Sequence, residues 1–326
     1  MYKINKFKPI YYLIILLTLI SYKIIDDNWL TRHAELRYKH QMSILKGEVD
    51  YPYQYRVLKP AMGIALQKII YLAVNNSYRA NLYAYRINTL LAFLLIYYFF
   101  YYFLKMFFSD ATCMIGLLLL QAVIPLTING QYGEGDFYNF LFYTIGLILI
   151  FKSKDYYLPI VFTIGILNRE QIIFLMIFYI AYLITQKRLF SKKSYIVITI
   201  SLIACAIVCL ALRWKFGWKY TVINKNAVSN ITQVWYIISL WAAEVFIFII
   251  LSLKSFKKSS QFFKLGFISI GLYIVIYFFY GYLGELAKFL PAYLIIIPMS
   301  LETLTGESTD NKKEALPRTI NSLNPI

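Results

Sequence analysis

Apolar residues run through this chain in long, almost unbroken stretches separated by short polar turns. The first ends near Ile25, and nine more follow at about 84–108, 111–128, 137–151, 156–167, 171–186, 195–212, 231–253, 265–283 and 287–301. A helix crossing the hydrocarbon core needs about 20 apolar residues. The pattern therefore predicts an all-α, polytopic transmembrane bundle of about ten crossings. The opening MYKINKFKPIYYLIILLTLI has basic residues before an apolar run, like a signal peptide. It lacks a small-residue cleavage site and is long enough to span, so it reads as a retained first helix.

The polar turns orient the bundle. Lys3, Lys6 and Lys8 precede the first run, Lys152 and Lys154 share one turn, and Lys187, Arg188, Lys192 and Lys193 share another. Lys254, Lys257, Lys258 and Lys264 form a further cluster, and Lys312, Lys313 and Arg318 lie in the tail. With ten crossings all of these fall on one side, which the positive-inside rule makes cytoplasmic, both termini included. Residues 1–301 then form one integral membrane domain and 302–326 a cytoplasmic, disordered tail. The outer side receives a long segment, 26–83. Its AMGIALQKIIYLAV (61–74) is too short and too interrupted by Lys68 to span, and reads as a helix lying in the interface.

Composition agrees. The 326 residues are 60% hydrophobic and 15% charged, against about 45–50% and about 25% for soluble domains. The net charge of +17 reads as basic inner loops and attraction to anionic lipid rather than nucleic-acid binding. Cys113, Cys205 and Cys209 sit inside apolar runs, and the two histidines are His33 and His40. No disulfide framework or zinc site is expected. Many of the 31 tyrosines lie near run ends, where they anchor helices at the interface.

Charged groups at membrane depth are functional candidates by default. Asn168, Arg169 and Glu170 join two runs of about 12 and 16 residues, too short to span, which places the tripeptide below the outer surface facing a cavity. A self-satisfied Arg–Glu pair pinning two helices is the alternative. GQYGEGDFYNF (130–140) sets Glu134 and Asp136 among three glycines at a helix mouth, either as a ligand site or as a plain hairpin. Asp26 and Asp27 directly follow the first run, as a general base, a divalent-cation site or an ordinary helix stop. In YPYQYRVLKP (51–60), Arg56 lies beside Tyr55, where a guanidinium can hold a lipid phosphate bidentately. Glu285 and Lys288 stand between the last two runs, as an ion pair or part of a site. No nucleotide-binding glycine motif or G-x-S-x-G is present, so a substrate already activated on a lipid suits this chain.

These motifs together, from the acidic pair through YPYQYRVLKP, GEGDFYNF and ILNREQIIFL to GELAKFLPAYL, resemble bacterial polytopic proteins of surface glycopolymer formation, similar to the GT-C glycosyltransferase superfamily. The resemblance implies an inverting glycosyltransferase in the bacterial cytoplasmic membrane, with an isoprenoid-phosphate sugar donor on the outer face. The acceptor would be a glycan or lipid-linked glycan. The catalytic acid or base falls on Asp26 or Asp27, the donor phosphate on Arg56 and Arg169, and the site lining on Glu170. The late motif departs from the family pattern, in which arginine often follows the glutamate: here Lys288 stands three residues on. A divalent cation is left open by the adjacent Asp26–Asp27. A lipid-linked sugar flippase and a non-catalytic scaffold are the competing readings.

Overall fold

The computed structural model describes residues 9–127, 134–218 and 223–309. Lys3, Lys6 and Lys8, the glycine-rich stretch 130–133 and the tail from 310 onward lie outside the described residues, as does the side chain of Glu134. The described chain is all-helical, with no strand. Its helices are α1 (Pro9–Ile25), α2 (Ala34–Lys46), α3 (Leu58–Val74), α4 (Ser77–Leu104), α5 (Asp110–Val123), α6 (Glu134–Phe151) and α7 (Leu158–Asn168). There follow α8 (Leu175–Thr185), α9 (Lys192–Phe216), α10 (Ile223–Thr232), α11 (Val234–Glu244), α12 (Phe246–Ser255), α13 (Gln261–Tyr280) and α14 (Tyr293–Thr305). Among the described residues, each of the ten apolar runs contains a helix. Among the described residues, five helices are long and apolar enough to cross a membrane, or six if α11 and α12, bent by 59°, count as one span.

Local chemistry sets the helix ends. Asn76 accepts from the Arg79 amide to start α4, and Ser191 from the Ser194 amide to start α9. Gly47 ends α2 and Gly306 ends α14 at positive φ, where a side chain would be strained. At its end α1 widens into a π turn, Asp26–Leu30, closed by Thr31 N–H donating to the Asp26 carbonyl (3.0 Å).

Packing is inside-out relative to a water-soluble bundle. Ile196, Ile200, Ile203, Ile207 and Leu210 form an exposed stripe along α9, and Ile268, Leu272, Val275 and Phe279 form another along α13. A period of three to four residues would normally turn such a stripe toward a core. Here it faces outward, the arrangement a lipid solvent favours. The centre is the span Leu286–Thr305, a 3₁₀ turn followed by α14, which is 94% buried. Ser21, Tyr97 and Gln121 hydrogen-bond one another and join α1, α4 and α5 within the bundle, the interhelical polar bonding typical where water cannot serve as partner. The chain is a helical membrane protein.

The bundle has two chemically different ends. At one, Asp155 draws in Arg188 (3.9 Å) and Lys193 (3.3 Å), while Phe151 packs on Phe107 and Phe262. This end gathers the lysine-rich turns. Glu302 and Glu307 also bind there: Glu302 accepts from Thr309 and Ser259, and Glu307 from Ser109 and Thr112. At the other end, the segment after α1 folds back over the bundle as α2, a short 3₁₀ turn (Tyr53–Tyr55) and α3. The interfacial helix read at 61–74 is α3, which rests on α4 and leaves Ile69 and Leu72 exposed.

Candidate functional site

The site forms where two half-length helices meet. With 11 residues each, α7 and α8 reach roughly 16 Å apiece, short of a full crossing. Arg169 takes extended backbone (φ −157°) and ends α7, and the chain restarts as a 3₁₀ turn from Glu170. This break is clamped to the start of α6. Asn168 Nδ2 donates to the Gly135 carbonyl (2.8 Å), and Arg169 Nη2 donates to Asp136 Oδ2 (2.9 Å). The Arg169 and Asp136 side chains are only 3% and 2% exposed. A Cβ on Gly135 would lie 3.2 Å from Arg169 Nε, so the close approach suits a glycine. Tyr143 OH donates to the Gln171 carbonyl (2.5 Å) and fixes the far side of the break.

The folded-back segment roofs this break and leaves a small cleft open to solvent, with a cavity volume of about 60 Å³. Its lining carries four cations, Arg37 from α2, Arg56 from the 3₁₀ turn, Lys59 from α3 and Arg169 from the break, and no carboxylate among the described residues. Arg56 lies over the Tyr53 ring (5.0 Å) and pairs with Glu170 (3.5 Å). Burial opposes the Arg56 charge, but Glu170 and Tyr53 together hold its guanidinium above the ordinary value. Burial pulls the Arg37 guanidinium down to about 10 and lowers the His40 imidazole. Beside the cleft, Lys288 Nζ pairs with Glu285 (2.8 Å). Burial would raise the Glu285 carboxyl, yet Lys288, then Arg169 and Arg56, keep it below its usual value.

Of the residues singled out in the sequence, Arg56, Asn168 and Arg169 line this cleft and Glu170 joins through Arg56. Asp136 sits one contact behind, held by Arg169. Glu285 and Lys288 form the ion-pair alternative, with the Lys288 carbonyl accepting from Tyr273 (3.1 Å). Tyr55 is not in the lining: its hydroxyl donates to the Gly217 carbonyl (2.7 Å) and ties the turn to the end of α9, while Tyr53 takes the place at the cleft. The acidic pair is elsewhere too. Asp26 accepts from Arg86 Nε (2.9 Å) and the Thr31 hydroxyl (2.9 Å), bonding the end of α1 to α4. Asp27 is exposed and paired with Lys23 (2.8 Å), one helical turn back. Their carboxylates are thus engaged separately and do not form a joint cation site. Among the described residues no three His, Cys, Asp or Glu side chains gather to hold a metal ion.

Four cleft residues went unnoticed in the sequence: Arg37, His40, Tyr53 and Lys59. A signal for Arg37 exists. Ala34, Arg37, Gln41 and Ile44 recur at helical spacing and are the buried face of α2. A scan against protein-family models finds no match, and neither do searches of curated proteins and of solved structures.

Proposed function

We propose that this chain is a membrane glycosyltransferase of GT-C type, taking sugar from an isoprenoid phosphate at the outer face of a bacterial cytoplasmic membrane for surface glycopolymer assembly. The observation that carries this reading is the cleft lining, with four basic side chains and no carboxylate among the described residues, at one end of a bundle whose flanks are apolar. Such a lining favours a phosphate headgroup whose chain lies in lipid. The acceptor hydroxyl would attack the anomeric carbon as the bond from that carbon to the phosphate oxygen breaks. The phosphate leaves with its electron pair, stabilised by the cations, and the anomeric centre inverts. The acceptor proton would go to Glu170, which adjoins the cleft through Arg56, rather than to Asp26 or Asp27. This reading takes the chain to cross the membrane ten times with the cleft outside, as the one-sided basic turns of the sequence suggest. A reporter fused after Lys193 is then expected to be active in the cytoplasm, and one at Asn226 outside; the reverse pattern would put the cleft on the wrong face for this chemistry.

The broken helices α7–α8 and α11–α12 favour a second reading, a lipid-linked sugar flippase, because transporters often use discontinuous helices. Reconstitution separates the two. Purified protein in liposomes with polyisoprenyl-phosphate sugars and a glycan acceptor is expected to form a new glycosidic bond. Movement of intact donor between leaflets with no bond formed would establish the flippase instead, and neither event would leave the scaffold.

A further inference from the structure

At the lysine-rich end, the turns that follow α6 and α8 come together. Asp155, buried just before α7, accepts from the Tyr179 hydroxyl of α8 (2.8 Å). It also pairs with Lys193 (3.3 Å) and Arg188 (3.9 Å) from the second turn. Lys193 Nζ lies 5.9 Å from the centre of the Tyr156 ring, which sets the start of α9 beside the start of α7. One acid thus gathers six cations, Lys152, Lys154, Lys187, Arg188, Lys192 and Lys193, because 152–157 and 186–194 hold no other carboxylate. Lys154, Lys187 and Lys192 are exposed, and none of the ion pairs among the described residues uses them. Between Lys187 and Lys192 in the chain stands Phe190, 81% exposed. Lys187 ends α8 at φ 54°, a conformation that glycine takes at least cost, so closing the helix does not by itself call for a lysine there.

Below these cations α7 packs along α9. Tyr157, Ile160 and Ile164 of α7 are exposed, as are Ile196, Ile200 and Ile203 of α9. With 11 residues, α7 is roughly 16 Å long, about half of the ~30 Å hydrocarbon core. The seam between the two helices is therefore about one leaflet deep, cationic at its head and apolar along its walls.

We propose that this seam binds one anionic phospholipid, its headgroup phosphate on the cations of the two turns and an acyl chain along α7 and α9. The site lies at the end of the bundle opposite the cleft and stands whether or not the chain transfers sugar. Basic pockets between helices are where anionic headgroups settle. A soluble anion would use the cations alone. The exposed ring of Phe190, at the level where aromatic side chains anchor in the interface, and the apolar walls below it suit a ligand that carries hydrocarbon.

The test titrates the full chain, in an uncharged detergent, with dioleoyl phosphatidylglycerol, dioleoyl phosphatidylcholine and glycerol 3-phosphate, counting bound copies by native mass spectrometry. Wild type is expected to bind its first phosphatidylglycerol at least about tenfold more tightly than phosphatidylcholine, which has the same chains and a neutral headgroup. Glycerol 3-phosphate, without chains, should bind at least about 100-fold more weakly than phosphatidylglycerol. Combining Lys154→Gln, Lys187→Gln and Lys192→Gln should weaken phosphatidylglycerol by about 10- to 100-fold, and Phe190→Ser should weaken it by about threefold or more. Removing the same charge elsewhere on this end, with Lys254→Gln, Lys257→Gln and Lys258→Gln, should change binding by less than about threefold. Thermal unfolding in the same detergent checks each variant. If the first triple variant does not fold, Lys192→Gln is read against Lys258→Gln, with a loss of about threefold or more expected in the former alone. Equal losses in the two sets of variants would reduce the effect to a general attraction of the basic end and overturn the site. Phosphatidylcholine bound as tightly as phosphatidylglycerol overturns it as well. Glycerol 3-phosphate bound as tightly as the lipid would leave an anion site on the turns and overturn the role of the seam.

Discussion

Arg169→Ala is expected to destabilise the protein by about 3–5 kcal/mol, because it leaves the Asp136 carboxylate buried without its ion-pair partner. Asp136 is 2% exposed and bonded to Arg169 at 2.9 Å, one side-chain contact behind the cleft lining. Denaturant or thermal unfolding of the purified protein in detergent measures this. Arg169→Met combined with Asp136→Leu should recover most of the loss, since replacing a buried pair with apolar residues is often neutral. A single alanine variant as stable as wild type would mean that the pair does not hold the break together.

The second large effect concerns chemistry. Glu170→Gln keeps the size of the side chain and removes its basicity, so glycosyl transfer is expected to fall by about 10²–10⁴-fold, the usual share of a general base. Asp27→Asn should stay within about twofold of wild type, because an exposed pair with Lys23 contributes little. Initial rates in proteoliposomes, with folding checked by the same unfolding assay, read both variants. Full turnover in Glu170→Gln would take this carboxylate out of the reaction; a collapse in Asp27→Asn would return the base to the end of the first helix.

Much of the architecture was legible because lipid is an undemanding solvent: it accepts any apolar side chain, so crossing segments appear as plain runs in composition. The break at Asn168–Glu170 was legible for the same reason, since two runs too short to cross must stop somewhere, and they stop at charges. The roof of the cleft was harder to read. The sequence of α2, AELRYKHQMSILK, is polar overall, and its buried face includes Arg37 and Gln41, which a search for apolar periodicity passes over. The fate of Asp26 could not be read either. Its partner Arg86 lies 60 positions away, and a single sequence gives no sign of which arginine will meet which aspartate. Tyr55 and Tyr53 flank Gln54 in one turn, so choosing the one that faces the cleft required the turn's geometry.

The glutamates near the end of the chain bear on how the molecule is made. Glu307 receives its bonds from Ser109 and Thr112, nearly 200 positions earlier, and Glu302 receives one from Ser259. During synthesis the helices emerge from the ribosome in order, so the start of α5 must wait through nine further helices before its latch exists. Until then it is anchored by lipid and neighbouring helices alone. The lysine-rich end of the bundle therefore closes last, and a ribosome stalled before residue 302 would leave a nascent chain with most of its helices formed and that end still unfastened.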